Sequence, residues 1–489
     1  MKQEPTQKSI KKNTFFNFLL TFASILFPLI TTPYISRVLN IEDIGIINQG
    51  SVFSALFINL ISLGLAGYGA REIARVRDDR EKLSRVFFSV ITLLIAAFII
   101  GSVFYLGFTV LFVADQKLRQ VYLIYFFIVA ANPFMIEWLY TGLEEFKYIS
   151  LRSICIKILM FLLFFVFIRE SKDFLRYALL LVGAQSLNSI FNIIHARKYV
   201  SFNFFKLDLK TVFFGAKYFY LQTLVAVCYQ NINQLVLGNN DKVQLALYVR
   251  ATTLAAVISS CVTPIMNAVK PRLEHIIAAD RRQYEFYIEK CFSCVMIVLV
   301  PLCFGMAVLS SKIMLLFGGE QFSSGGGVLR IVAFSTLISV LSVFFNSIIS
   351  TPAGFERNTF FGNISVAAFS LILNPVLVLK LGANGAAFAM LLAESSGLIV
   401  QLIFIRKQNL YLKFITWRNL KYFVAAGAMY FLVWILSKMI TRTFVSVCVC
   451  VVFGVVCYAV IYLACVFLFK DKNDIVVSAL HRILAGGKK

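Results

Sequence analysis

Lys157 is the residue of this sequence whose position most demands a chemical explanation. It lies near the tenth residue of the apolar run 148–168, so in a membrane it would sit close to the midplane. A cation there is expensive without water or a partner, so Lys157 either lines a polar cavity or pairs with an acid on a neighbouring helix. Arg37, Arg250, Lys217 and Lys270 lie near the ends of other apolar runs, where long cationic side chains line a cavity or snorkel to headgroups. Glu394, in LLAESSGLI, is also placed mid-run; it reads as a proton carrier or as the ionised partner of Lys157 or another base. Asn374, in ILNPVLV, precedes Pro375, whose missing N–H leaves a backbone carbonyl without its usual donor. With Asn231 or Asn233 this makes an oxygen-lined Na⁺ site, an interhelical hydrogen bond being the other reading. Glu137 and Glu144 fall near the end of the fourth run and read as the border of a gate. Pro28 and Pro33 mark the first run as bent, by a static kink or a working hinge.

Composition decides what positions these groups. The 489 residues are 60% hydrophobic and include 50 Phe, and the mean hydropathy is +0.82. That is more apolar surface than a water-soluble domain can hide, and in lipid only helices and closed barrels satisfy their own backbone. The runs are about 20 residues long without strict alternation, which matches helices rather than barrel strands. The sequence therefore predicts an all-α polytopic membrane protein of about 14 transmembrane helices. They fall at 15–36, 46–68, 87–113, 120–140, 148–168, 175–194, 217–237, 248–269, 286–309, 328–349, 360–379, 385–405, 420–440 and 445–469. The N-terminal tail, the even-numbered loops and the C-terminal tail hold most of the Lys and Arg, which predicts that both termini are cytoplasmic. The net charge of +23 is largely this topology signal, helped by anionic headgroups, and does not imply nucleic acid as a partner.

Other chemistries fare poorly. The opening MKQEPTQKSIKKNT reads as a basic polar tail, with no small-residue cleavage site in the run that follows. The ten Cys lack metal spacing and read as small apolar packing residues. His195, His275 and His481 have no companion ligands, and no GxxxxGK(S/T) loop is present, so neither metal-assisted hydrolysis nor direct ATP use is supported and no cofactor is expected. A membrane glycosyltransferase, polymerase or ligase is the enzyme alternative. Such enzymes need a sizeable extramembrane loop with acids, whereas the longest external one, 310–327, offers only Glu320. The glycines 325–327 read as a flexible connector in that loop.

The chain also looks doubled. TGLEEFKY (141–148) closes the fourth span and AGFERNTF (353–360) the tenth, each with a Gly, an apolar residue and an acid. The connectors after spans two and eight carry Asp79-Arg80 and Asp280-Arg281. Repeats of this kind mark the parts of a transporter that move against each other. Residues 1–200 are read as an N-lobe of helices 1–6, and 201–216 as an interfacial amphipathic linker. Residues 217–407 form a C-lobe of helices 7–12, and 408–489 two appended helices with a cytoplasmic tail.

Four segments, PYISRVLNIEDIG, LGLAGYGAREIARVR, LLFGGEQFSSGGGVLRIVAF and ILNPVLVLKLGANGAAFAMLLAE, resemble in order those of the Wzx-type polysaccharide repeat-unit flippases. These belong to the MOP superfamily, with the lipid II flippase and the MATE drug exporters as relatives. The resemblance implies a V-shaped pair of six-helix lobes around a cationic cavity that opens alternately to cytoplasm and periplasm. It implies transport of undecaprenyl-diphosphate-linked oligosaccharide across the bacterial inner membrane, for O-antigen, capsule or a similar envelope polysaccharide. Membrane lipid, a polysaccharide polymerase and chain-length proteins are the implied partners, and Na⁺ or H⁺ the implied coupling ion. Arg37 and Arg250 come foremost among the span-end cations, since in the family the first helix of each lobe and its turn into the second border the cavity. One place departs from the family pattern: an Asp followed by a basic residue before LG in span seven is here Asn233-Gln234. Asn can coordinate Na⁺ but cannot release a proton, which weighs against proton coupling through that position.

The implied task sets its own demands. A diphosphate and its sugars cannot cross about 30 Å of hydrocarbon unaided. The polar head needs a cavity with positive charge, and the tail needs an opening between helices; Lys and Arg both bind phosphate, Arg also bidentately. Lys157, Arg37, Arg250, Lys217 and Lys270 are the candidates. A MATE-like exporter of cationic drugs would call instead for acids and aromatics in its pocket.

Overall fold

The computed structural model describes residues 10–62, 64–201, 207–277, 280–408 and 416–468, and every regular element among them is a helix. The expected tail beyond 468 and residues 202–206 of the expected linker lie outside the described residues. The chain divides into two compact units, Met1–Ala246 and Leu247–Lys489.

Unit 1 contains α1 (Ile10–Val38), α2 (Ile41–Ser62), α3 (Leu65–Val76), α4 (Arg80–Phe112), α5 (Gln116–Ala131), α6 (Glu137–Gly142), α7 (Phe146–Phe167), α8 (Phe174–Ala196), α9 (Leu209–Gln230), α10 (Ile232–Asn240) and the first residues of α11 (Lys242–Ile276). Local residues set the joints. The Asp79 carboxylate accepts from the backbone N–H groups of Glu81 and Lys82, each at 3.1 Å, and so caps α4. Asp115 caps α5 in the same way. These bonds satisfy donors that a helix start otherwise leaves open. Gly64 turns α2 into α3 with φ 67°, and a Cβ there would come within 2.5 Å of the Phe219 carbonyl carbon. Only glycine meets both conditions.

Lipid tails are as apolar as leucine, so close packing and interhelical hydrogen bonds hold such helices together. Gly50 brings α2 onto α5, where a Cβ would reach Val121 at 2.5 Å. Beside it, Phe53 stacks on Tyr122 at 4.4 Å, the Ser54 and Tyr105 hydroxyls lie 3.0 Å apart, and Tyr105 donates to the Tyr122 carbonyl at 2.8 Å.

Unit 2 continues α11 and adds α12 (Arg281–Val308), α13 (Ser310–Gly318), α14 (Gly326–Phe344), α15 (Glu356–Lys407), α16 (Leu420–Met439) and α17 (Thr443–Leu468). Asp280 caps α12 through Arg282 and Gln283, so the paired Asp-Arg dipeptides noted in the sequence do the same job in both units. The core gathers Ile288, Val295, Leu299 and Cys303 of α12 with Phe344, Ala425 and Met429. A short π-helical stretch, Phe345–Ser350, ends α14. Lys312 of α13 donates to the carbonyls of Ser437 and Ile440 at the end of α16 and to Ser446 Oγ of α17.

The glycines 325–327 are not a flexible connector. Gly325 and Gly326 are buried in the turn into α14, and a Cβ on either would come within 2.3 Å of Met314 or Ser311. They are small because α13 packs directly on them.

Among the described residues 12 helical stretches are long and apolar enough to cross a membrane, against about 14 read from the sequence. The two readings differ in two places. The eleventh and twelfth expected spans lie in the single element α15, which Gly382 breaks with φ 57° and ψ −132°. The seventh is divided between α9 and α10 at Asn231, and neither part is among the twelve.

Candidate functional site: a polar cleft in unit 1

The fourth span of unit 1 is broken. Pro133, with no N–H to give, ends α5 in the 3₁₀ turn Asn132–Phe134, and α6 restarts at Glu137. Broken spans are where transporters place polar chemistry. Glu137 borders an open cleft of about 390 Å³ between α1, α7 and α8, lined also by Ser24, Ser153, Lys157, Gln185 and Asn188 and by the apolar Phe27, Ile156 and Phe164. Lys157 Nζ donates to Ser24 Oγ at 2.6 Å. Pro28, one turn on, offers no N–H to the Ser24 carbonyl, so α1 is polar at this contact.

Arg152 lies behind the cleft and is 8% exposed. Its Nη2 donates to Glu137 Oε1 and its Nη1 to Asn192 Oδ1. The guanidinium sits 5.6 Å from the Tyr148 ring centre, and Tyr148 stacks on His195 at 3.8 Å. Tyr140 donates to the Asn192 carbonyl, and Tyr199 to Glu145 Oε1 at 2.7 Å. Burial, and then the bond to the Glu145 carboxylate, push the Tyr199 hydroxyl up, so it stays a donor. The cleft region holds two cations and one half-exposed carboxylate, with a net attraction for anions.

Lys157 and Glu137 are thus brought together. The other sequence candidates lie elsewhere. Arg37 is exposed and donates to the Pro33 carbonyl on its own helix at 2.8 Å. Glu144 meets Arg77 at 3.0 Å. Lys217 is exposed on α9, Asn231 joins α9 to α10, and Asn233 is buried on α10. In unit 2, Arg250 lies over the Phe322 ring at 4.9 Å, and Lys270 reaches Glu274 one turn along at 4.0 Å. Glu394 accepts from Ser339. Asn374 is buried and its amide donates back to the Ser370 carbonyl at 2.7 Å.

Sequence reasoning passed over Arg152, Ser24, Gln185, Asn188 and Asn192. A signal was available for the last three: amides spaced by three and four residues share one face of α8. Arg152 sits in the second turn of α7, a place where a long cationic side chain can also reach headgroups, so its position gives no signal of its own.

The helical architecture and its 12 candidate spans among the described residues define a multi-pass membrane protein. The fold is one seen in solved membrane proteins. It matches the lipid II flippase MurJ in an inward closed conformation with a TM-score of 0.73 at 15% identity, covering 94% of this chain and 99% of that one. It also matches a multidrug resistance MATE family transporter in an outward-facing conformation, with a TM-score of 0.54 at 14% identity over 80% and 93% of the two chains. A model of the polysaccharide biosynthesis protein family matches residues 10–277, and the chain belongs to that family. A candidate O-antigen transporter of Escherichia coli (strain K12) is 22% identical over 411 residues, covering 82% of this chain and 98% of its own length.

Proposed function

We propose that this chain is a flippase, a transporter and not an enzyme, that moves undecaprenyl-diphosphate-linked oligosaccharide from the cytoplasmic to the periplasmic face of the bacterial inner membrane. The observation that carries this reading is the cleft with Lys157 and Arg152 around Glu137: a cationic, water-accessible pocket within the spans suits an anionic head whose lipid tail stays outside. The family and the relative described as an O-antigen transporter support it. The chain works by alternating access, with fourteen spans in two sets of six and two appended helices, and with both termini cytoplasmic. Its divisions are 1–200, 201–216, 217–407 and 408–489.

Lys157, Arg37, Arg250, Lys217 and Lys270 serve the substrate's phosphates. Glu394, or Asn374 with Asn231 or Asn233, serves an H⁺ or Na⁺ gradient, and Glu137, Glu144, Pro28 and Pro33 serve the gate. The product feeds a polysaccharide polymerase and chain-length proteins.

The test is to deplete the protein, extract lipids, and ask whether the complete lipid-linked repeat unit accumulates with its glycan facing inward while surface glycan falls. Inward-facing accumulation is expected. Outward-facing units would assign the block to polymerisation or ligation, and unchanged lipid with raised drug sensitivity would assign the chain to MATE-like export.

A further inference from the structure

The cleft of unit 1 holds more hydrogen-bonding chemistry than a phosphate can use. Its α8 wall presents Gln185 and Asn188, with Asn192 on the same face behind them. Asn188 Oδ1, in the cleft wall, has no hydrogen-bond partner among the described residues, and neither do Asn192 Nδ2 and Arg152 Nε behind it. Asn192 and Arg152 are both more than nine-tenths buried. Such groups cost free energy unless something satisfies them. Opposite stands Glu137, one of whose oxygens Arg152 holds, leaving the other to accept.

A phosphate only accepts hydrogen bonds, so a carboxylate and an amide oxygen are poor company for it. A sugar ring both donates and accepts, and its apolar edge suits Phe27, Ile156 and Phe164. The volume of about 390 Å³ lies within the ordinary range for small-ligand sites.

We infer that this cleft is a sugar subsite, reading the hydroxyl pattern of one sugar residue of the lipid-linked glycan through Glu137, Gln185 and Asn188. Lys157 meets the adjoining phosphate. Arg152 is a positioning residue that fixes Glu137 and Asn192. This inference rests on the flippase reading above, and names what part of the cargo the cleft takes.

The experiment compares two probes on the full-length protein by native mass spectrometry: bare undecaprenyl diphosphate, and the undecaprenyl-diphosphate-linked repeat unit extracted from the producing strain. The unaltered protein is expected to prefer the glycan-bearing lipid at least about tenfold, since a site built to bond hydroxyls discriminates against a ligand lacking them. Gln185→Leu and Asn188→Leu each lower that preference, and together bring it near one, with affinity for the bare lipid unchanged. Gln185 is exposed, so its variant is informative even where Asn188→Leu does not fold. Lys157→Met weakens both probes alike. Arg152→Lys keeps most of the preference, whereas Arg152→Met loses it. Equal binding of the two probes by the unaltered protein, or a preference that survives Gln185→Leu with Asn188→Leu, overturns the sugar subsite and leaves the flippase reading standing. Binding of neither probe overturns the flippase reading itself.

Discussion

At the end of α6 the Glu144 N–H donates to the Thr141 carbonyl at 3.1 Å and the Glu145 N–H to Tyr140 at 2.8 Å; ahead of α15 the Gly354 N–H donates to Thr351 at 3.0 Å and the Phe355 N–H to Ser350 at 2.9 Å. Each pair closes a helix through a left-handed residue, Glu144 at φ 58° in unit 1 and Gly354 at φ 76° in unit 2. The bonds therefore pair Glu144 with Gly354, where the amino-acid pattern pairs Gly142 with Gly354. Carried along the chain, that register sets Glu137, Arg152 and Lys157 opposite Ser347, Gly362 and Ala367. Unit 2 builds the same turn and the same following helix with no charge at any of the three places. Where Arg152 meets Asn192 in unit 1, unit 2 has Gly362 against Gln401, close enough that a Cβ would come within 2.8 Å. The joint does not need the charges. The three charges therefore distinguish unit 1 from unit 2, and desolvating them has a cost that the joint itself does not require.

The largest effect that tests this contrast is at Arg152. Arg152→Ala leaves the half-exposed Glu137 and the buried Asn192 without their donor, and a loss of about 1–3 kcal/mol is expected in the unfolding of the purified protein. Adding Glu137→Ala should restore part of that loss; no restoration would mean the two side chains are not coupled. Lys157→Met comes next and is expected to act on function, lowering surface glycan at least about tenfold, the size of one lost charge-assisted bond, at normal protein level and melting temperature. Normal glycan in that variant would remove Lys157 from the transport path.

Smaller effects probe the shared joint. Gly354→Ala places a side chain at positive φ and should cost about 1 kcal/mol, although open space surrounds the site. Glu144→Gly should gain up to about 1 kcal/mol by relieving the same strain, less whatever the exposed Arg77 pair contributes. Opposite signs sustain the pairing of Glu144 with Gly354; like signs refute it. The smallest effect is at the cap of α4. The Lys82 backbone N–H, and then its side chain, hold the Asp79 carboxyl below the usual carboxylate range. Its stabilisation is therefore full above the ordinary aspartate value and lost as pH falls through the lower folded value. Asp79→Asn should flatten that acid-side dependence in a melting series, and an unchanged slope would show that the cap does not titrate with folding.

The helical membrane class was legible because burying or lipid-facing so much apolar surface leaves few alternatives. The matching Asp-Arg dipeptides were legible as a pair, while their use as helix caps came from the structure. The register of the repeat was not, since Glu144 occupies a backbone position that glycine usually marks. Lys157 could be found by depth alone. Its companions could not: Arg152 sits near a span end, and its meeting with Glu137 depends on Pro133 breaking the fourth span at one particular place. The glycines 325–327 misled because a run of glycines looks the same whether it frees the chain or lets another helix press against it.

Lys312 bears on how the protein is made. Its ammonium is synthesised more than 120 residues before the Ser437, Ile440 and Ser446 oxygens that receive it. Until α16 and α17 emerge and insert, that charge has to remain in water or among headgroups. Docking of the α16–α17 hairpin thus supplies the acceptors of Lys312, and unit 2 without that hairpin leaves the ammonium short of all three.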